Sequence, residues 1–157
     1  MKHTTIGLII GSLVIASAAR ADTTATVNLG GTVTSTLTLG STTAGAASGL
    51  DLMNGQQIVK VADVVASTNN EQGLTLTASS GSLAKTGGSS IPFQVTTVAE
   101  AATPLSTAFL VASGTAYTTG TSAAGGINVD LFIMYTPATL QDPGDYTGVI
   151  NLSVSDN

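Results

Sequence analysis

From Ala25 to Leu39 apolar and polar positions alternate. One side reads Ala25, Val27, Leu29, Gly31, Val33, Ser35, Leu37 and Leu39. The other reads Thr26, Asn28, Gly30, Thr32, Thr34, Thr36 and Thr38, so only Ser35 interrupts the apolar side. A period of two predicts a strand with one face buried. Fifteen residues at roughly 3.4 Å each reach about 50 Å, far beyond the usual strand of about 5–6 residues. The stretch therefore predicts two tasks, divided near Gly30-Gly31 or at Ser35.

Further strands are expected at Gln57–Ala66, Leu74–Ala78, Ile91–Thr96, Ala108–Ala112, Ile127–Tyr135 and Tyr146–Val154. Pro92 has no amide hydrogen, which places its strand at an edge or Pro92 at the strand's start. Loops rich in Gly, Ser, Thr and Ala fill Gly40–Gly49 and Ser79–Ser90, and turns fall at Thr68–Gly73 and Leu140–Asp145. A short helix is compatible with Val98–Ala102. About seven strands separated by turn residues predict an all-β sandwich. The alternation assigns Leu74, Leu76, Ile91, Phe93, Val95, Val129, Leu131, Ile133, Ile150, Leu152 and Val154 to its core.

The first 21 residues have another character. Met1-Lys2-His3 is a basic start, Ile6 to Ala16 is mostly apolar, and Ala19 and Ala21 form an A-x-A pair. This is the pattern of a secretory signal cut before Asp22, and the run is about half the ~20 residues of a spanning helix. The expected organisation is a signal peptide at 1–21, an N-terminal extension at 22–33 and one β-domain at 34–157. The expected route is secretion. Without the signal, two lysines, Lys60 and Lys85, face nine acidic residues. That balance argues against nucleic acid and against anionic membrane surfaces. No cysteine is present, so the domain's stability does not rest on disulfides.

Candidate chemistry is sparse. His3 is the one histidine, and beyond the signal there is no arginine. The commonest general base, the usual nucleophile–base pairs and His/Cys zinc sites are thereby missing. Asp142 and Asp145 lie in an Asp-Pro-Gly-Asp turn, a poor place for a glycosidase pair and a better one for turn initiation. The pair lacks the alternating carboxylates of a calcium loop. Phe132, on the polar side of its strand, is the one aromatic out of place; an interface contact explains it as well as a sugar would. No catalytic residue, metal site or cofactor is expected, and the chain is read as structural, not enzymatic.

The two ends carry a resemblance. Thr24 to Val33 reads Thr-Ala-Thr-Val-Asn-Leu-Gly-Gly-Thr-Val, and the C-terminus runs Pro143-Gly-Asp-Tyr-Thr-Gly-Val-Ile-Asn-Leu-Ser-Val-Ser-Asp-Asn157. Together they resemble the subunits of chaperone–usher fimbriae, closest to the cysteine-free, capsule-forming linear kind and more loosely to spore-coat-U-like pilins. The matching part is about 25 residues at the two ends. The resemblance implies an immunoglobulin-like sandwich that lacks one strand and receives it from a neighbouring subunit. Ala25, Val27, Leu29, Gly31 and Val33 would be the donor residues, while Leu37 and Leu39 would begin the subunit's own fold. Tyr146, Gly148, Ile150, Leu152 and Val154 would be the last strand beside the acceptor groove. The implied partners are further copies of the chain, a periplasmic chaperone, an outer-membrane usher and a host or surface receptor; the implied location is a cell-surface fimbria reached through the periplasm. The chain ends Ser155-Asp156-Asn157, where many members of the family carry a Tyr two residues before the terminus. The alternative reading is a secreted monomeric β-sandwich that binds carbohydrate or mediates adhesion, its N-terminal stretch closing its own sandwich.

Overall fold

Strands form where the two-residue period is strongest. In this computed structural model residues 25–157 are described, so the expected signal peptide lies outside the described residues. The chain divides into two units at 32/33. Of the first, residues 25–32 are described; they form no helix or strand and are exposed throughout. The second, Val33–Asn157, is all-β. Among the described residues its strands are β1 (Leu37–Thr43), β2 (Gln57–Thr68), β3 (Leu74–Ala78), β4 (Gly81–Leu83), β5 (Ile91–Ala99), β6 (Tyr117–Gly120), β7 (Gly125–Tyr135) and β8 (Leu152–Asp156).

Two antiparallel sheets result, an arrangement consistent with a β-sandwich. One has the order β1-β2-β7-β5-β4, the other β6-β3-β8. The long pairings of β2 with β7 and of β7 with β5 place the aliphatic positions of each strand on one face. That inner face carries Val64, Ala66, Phe93, Val95, Leu131, Ile133 and Tyr135, all buried. It packs against Leu76 and Ala78 of β3 in one hydrophobic cluster. The expected core residues Leu74, Leu76, Ile91, Phe93, Val95, Leu131 and Ile133 are buried; Val129, Ile150, Leu152 and Val154 are only half-buried. Pro92 comes before the β5–β7 ladder, which begins at Phe93, so its missing amide costs that ladder nothing.

Several boundaries differ from expectation. The alternating stretch is a strand only from Leu37, and β1 runs on through Gly40 to Thr43 where a loop was expected. Ala108–Ala112 is not a strand. Gln94 Nε2 donates to the carbonyls of Phe109 and Val111, and Thr96 Oγ1 donates to that of Ala108. These outward polar side chains of β5 thus hold the 106–111 segment over the outer face of the larger sheet. Val98 and Ala99 extend β5 and form no helix. The final strand is shorter than expected. Tyr146, Gly148 and Ile150 precede β8, and Thr147 makes only an isolated bridge to Ala84.

Candidate functional site

Two strand edges flank a gap in the core. Among the described residues β1 pairs with β2 on one side only, and β8 with β3 on one side only. Each therefore leaves a row of backbone donors and acceptors without a strand partner. Leu37 and Leu39 face inward, opposite Thr68 and Ala66, yet each is still 37% exposed. Across the gap, Ile150, Leu152 and Val154 are half-buried. Core burial is thus fullest along β3, β5 and the middle of β2 and β7, and incomplete along the two edges.

At one end the gap widens into a cavity of about 300 Å³. Its rims are Ser41 and Thr43 of β1 and Gly148, Val149, Ile150 and Leu152 of the C-terminal segment. Its floor is Val61, Ala62, Leu131, Ile133, Leu83 and Phe93, with Ala47 and Leu50 at the side. The floor includes two consecutive β2 residues because the β2–β7 register shifts between Lys60 and Ala62. A bulge of this kind lets neighbouring residues share one face. Among the described residues no charged side chain lines the cavity.

The other end of the gap is closed by polar contacts. Asp156 Oδ2 accepts from Ser35 Oγ at 2.6 Å, and its other oxygen accepts from Thr68 Oγ1. Both bonds stabilise the anion, so the carboxyl sits below the ordinary aspartate value, Ser35 contributing most. Ser35 breaks the apolar alternation because its place faces this carboxylate.

The outer side of the β2 bulge carries charge. Asp63 and Asp130 are directly opposed in the β2–β7 ladder. Lys60 Nζ bridges them, 2.6 Å from Asp63 and 2.9 Å from Asp130. Asp130 is 2% exposed, and its second oxygen accepts from the Ala101 amide at 3.0 Å. The Lys60 bond, first, holds the Asp130 carboxyl below its ordinary value against the opposing effect of burial. The two carboxylates in turn raise Lys60, Asp63 foremost.

The residues expected to matter fall into two sets. Gly148, Ile150 and Leu152 line the cavity and Val154 continues their face along β8. Tyr146 packs against the core, its hydroxyl donating to the Asp142 carbonyl and accepting from Gln141 Nε2. Ala25, Val27, Leu29, Gly31 and Val33, expected as a strand, belong to none here; Val27 is 79%, Leu29 93% and Val33 88% exposed. Sequence reasoning missed the β1 rim, Ser41 and Thr43, and the floor residues Val61 and Ala62. A bulge leaves no period-two signature, and Ser and Thr gave no apolar signal.

Other candidates come to less. Asp142 and Asp145 remain exposed in an irregular connection, and among the described residues no cluster of three or more His, Cys, Asp or Glu is placed to hold a metal. Phe132 is no exposed platform; it is buried on the side covered by the 106–111 segment. Among the described residues no helix is long and apolar enough to cross a membrane. No family model, curated protein or solved structure matches this chain.

Proposed function

We propose that the chain is a structural, non-enzymatic subunit of a secreted surface fibre, a pilus or capsule-like polymer, assembled by strand donation between copies. In this reading the body is an immunoglobulin-like sandwich lacking one strand. The segment carrying Ala25, Val27, Leu29, Gly31 and Val33 enters the gap between β1 and the C-terminal strand of the next copy. There its backbone pairs with both free edges, and its alternate side chains bury against the floor. The carrying observation is the match of defects: an uncharged cavity between the β1 edge and the C-terminal segment, and an exposed segment whose apolar residues alternate with the strand period.

The magnitudes favour filling. Burying a Val or Leu side chain contributes about 1.5–3 kcal/mol, and three such residues, Val27, Leu29 and Val33, stand exposed. Left open, edges of this length are aggregation sites. The resemblance supplies the remaining partners, a periplasmic chaperone that covers the gap before assembly, an outer-membrane usher, and a host or surface receptor for an adhesive fibre.

The test is assembly of the exported chain, followed by light scattering and electron microscopy. Deleting 22–33 should leave a body that folds with chaperone or with a synthetic 22–33 peptide and does not polymerise. Leu29→Asp should block chain growth without unfolding the body, since an unpaired carboxylate cannot enter the apolar gap without a cost of several kcal/mol. A wild-type chain that stays monomeric and heat-stable, with the deletion merely unfolding it, would leave the self-closed monomer as the correct reading.

A further inference from the structure

Filling by a second copy requires that the segment not fill its own gap first. Both routes would bury the same side chains, and the intramolecular one has the advantage of effective concentration. The residues that decide are those joining the segment to β1. Val33 is the last donor position and Leu37 the first of β1, so a fold-back must reverse the chain within Thr34, Ser35 and Thr36.

These three residues are held in another arrangement. Asn69, just past the end of β2, grips the backbone on both sides of Ser35. Its Nδ2 donates to the Thr34 carbonyl at 2.9 Å, and its Oδ1 accepts from the Thr36 amide at 2.9 Å. Its own amide donates to the Thr36 carbonyl at 3.3 Å. Ser35 between them donates to Asp156. The connection is thus tied to neighbouring elements on both sides of Ser35, and a reversal within it would have to break these bonds. The composition opposes reversal as well. Tight hairpins need positive φ and draw on Gly, Asn or Asp, whereas the connection is Thr-Ser-Thr, two of whose members are β-branched.

We infer that Asn69 and Asp156 are positioning residues that lock residues 34–36 and so commit the N-terminal segment to the gap of a second copy of this chain. The inference rests on strand donation as the mode of assembly. Its consequence is a choice between products: with the lock intact, filling scales with concentration; with it loosened, the chain closes on itself.

The exported chain, unfolded in guanidinium and refolded by dilution, reads this choice by size-exclusion chromatography with light scattering. Wild type should yield polymer whose share rises with concentration. Asn69→Ala should raise the share of folded, heat-stable monomer at least fivefold at equal concentration, and that share should be concentration-independent. A purely structural role would lower stability without creating such a monomer. Thr36→Gly supplies the positive-φ residue of a three-residue hairpin that closes Val33 on Leu37, leaves the Asn69 and Asp156 side chains in place, and should give the same monomer. If Asn69→Ala does not fold, this second variant decides. Polymer yields equal to wild type in Thr36→Gly, or in a folded Asn69→Ala, overturn the lock. Absence of polymer from wild type itself counts instead against strand donation.

Discussion

Gly120 shows how little freedom some single positions have. A Cβ added there would stand 2.1 Å from the Leu74 carbonyl oxygen and 3.1 Å from the carbonyl carbon. Both are backbone atoms, so no side chain can swing away. β6 would have to separate from β3, to which Gly120 is paired opposite Thr75. Gly73 meets a similar wall, at 2.2 Å from the Thr121 carbonyl oxygen, and its φ of +86° is also unfavourable for other residues. Gly120→Ala is expected to lower stability by about 1–3 kcal/mol, the usual cost of overpacking. Gly55→Ala, with nothing within 4 Å, is the matched control. Urea midpoints of the two variants should differ clearly; equal midpoints would mean that β6 yields without cost.

At the scale of elements, the Lys60 bridge ties the strands beneath the cavity floor together, and it yields a prediction whose sign depends on pH. In the native protein Asp130 is depressed below its ordinary value of 3.8. Its contribution is therefore present above that value and lost as pH falls through the depressed range. Lys60 is raised above 10.5, so its share is present below 10.5 and lost only as pH rises through its folded value. Between these limits the bridge is intact. Lys60→Met removes the cation that chiefly holds the Asp130 carboxyl down, and burial then pushes it upward. The variant should be least stable relative to wild type at neutral pH, and the gap should narrow as pH falls and Asp130 protonates. The difference between the two proteins is the readout, because Asp51 and Asp156 are also depressed and destabilise both in acid. A gap that is flat from pH 7 to pH 3 would show that the bridge contributes nothing.

The same scale shows what was legible beforehand. Leu74-Thr-Leu-Thr-Ala gave β3 with its limits, and the alternation in Ile127–Tyr135 gave nearly all of β7, because half-buried strands write their period directly. β4 and β6 left no such trace. Gly81-Ser82-Leu83 is three residues long, and Tyr117-Thr-Thr-Gly120 carries one large side chain. Ala108–Ala112 is apolar for a different reason, since Phe109 is buried in a segment that crosses the sheet's outer face. Phe132 looked misplaced because that cover comes from residues distant in sequence. For the candidate site, the C-terminal rim was readable from Tyr146 to Val154, but a gap is a property of two edges and needs the topology to be seen.

For the whole molecule, the proposed strand donation predicts that charge separates the encounter of copies from their bond. The full sequence carries a formal net charge of −5, and without the expected signal two lysines against nine acids leave −7, so exported copies repel as they approach. The segment from Ala25 to Val33 has no charged residue, and neither does the cavity it would fill. Electrostatics then acts over long range on the approach and hardly at all on the filled state. The screening length falls from about 30 Å at 0.01 M salt to about 8 Å at 0.15 M. Over that range the assembly rate of the exported chain should rise a few-fold, while the dissociation rate of preformed polymer stays constant, as expected when charge governs association and buried contacts govern release. Stopped-flow light scattering gives the first, and dilution of polymer into excess Leu29→Asp chain, which accepts a strand but cannot donate one, gives the second. An assembly rate that falls with salt would reveal complementary charge between copies at a surface other than the gap. Dissociation that quickens with salt would place an ion pair within the junction and contradict an apolar strand in an apolar groove.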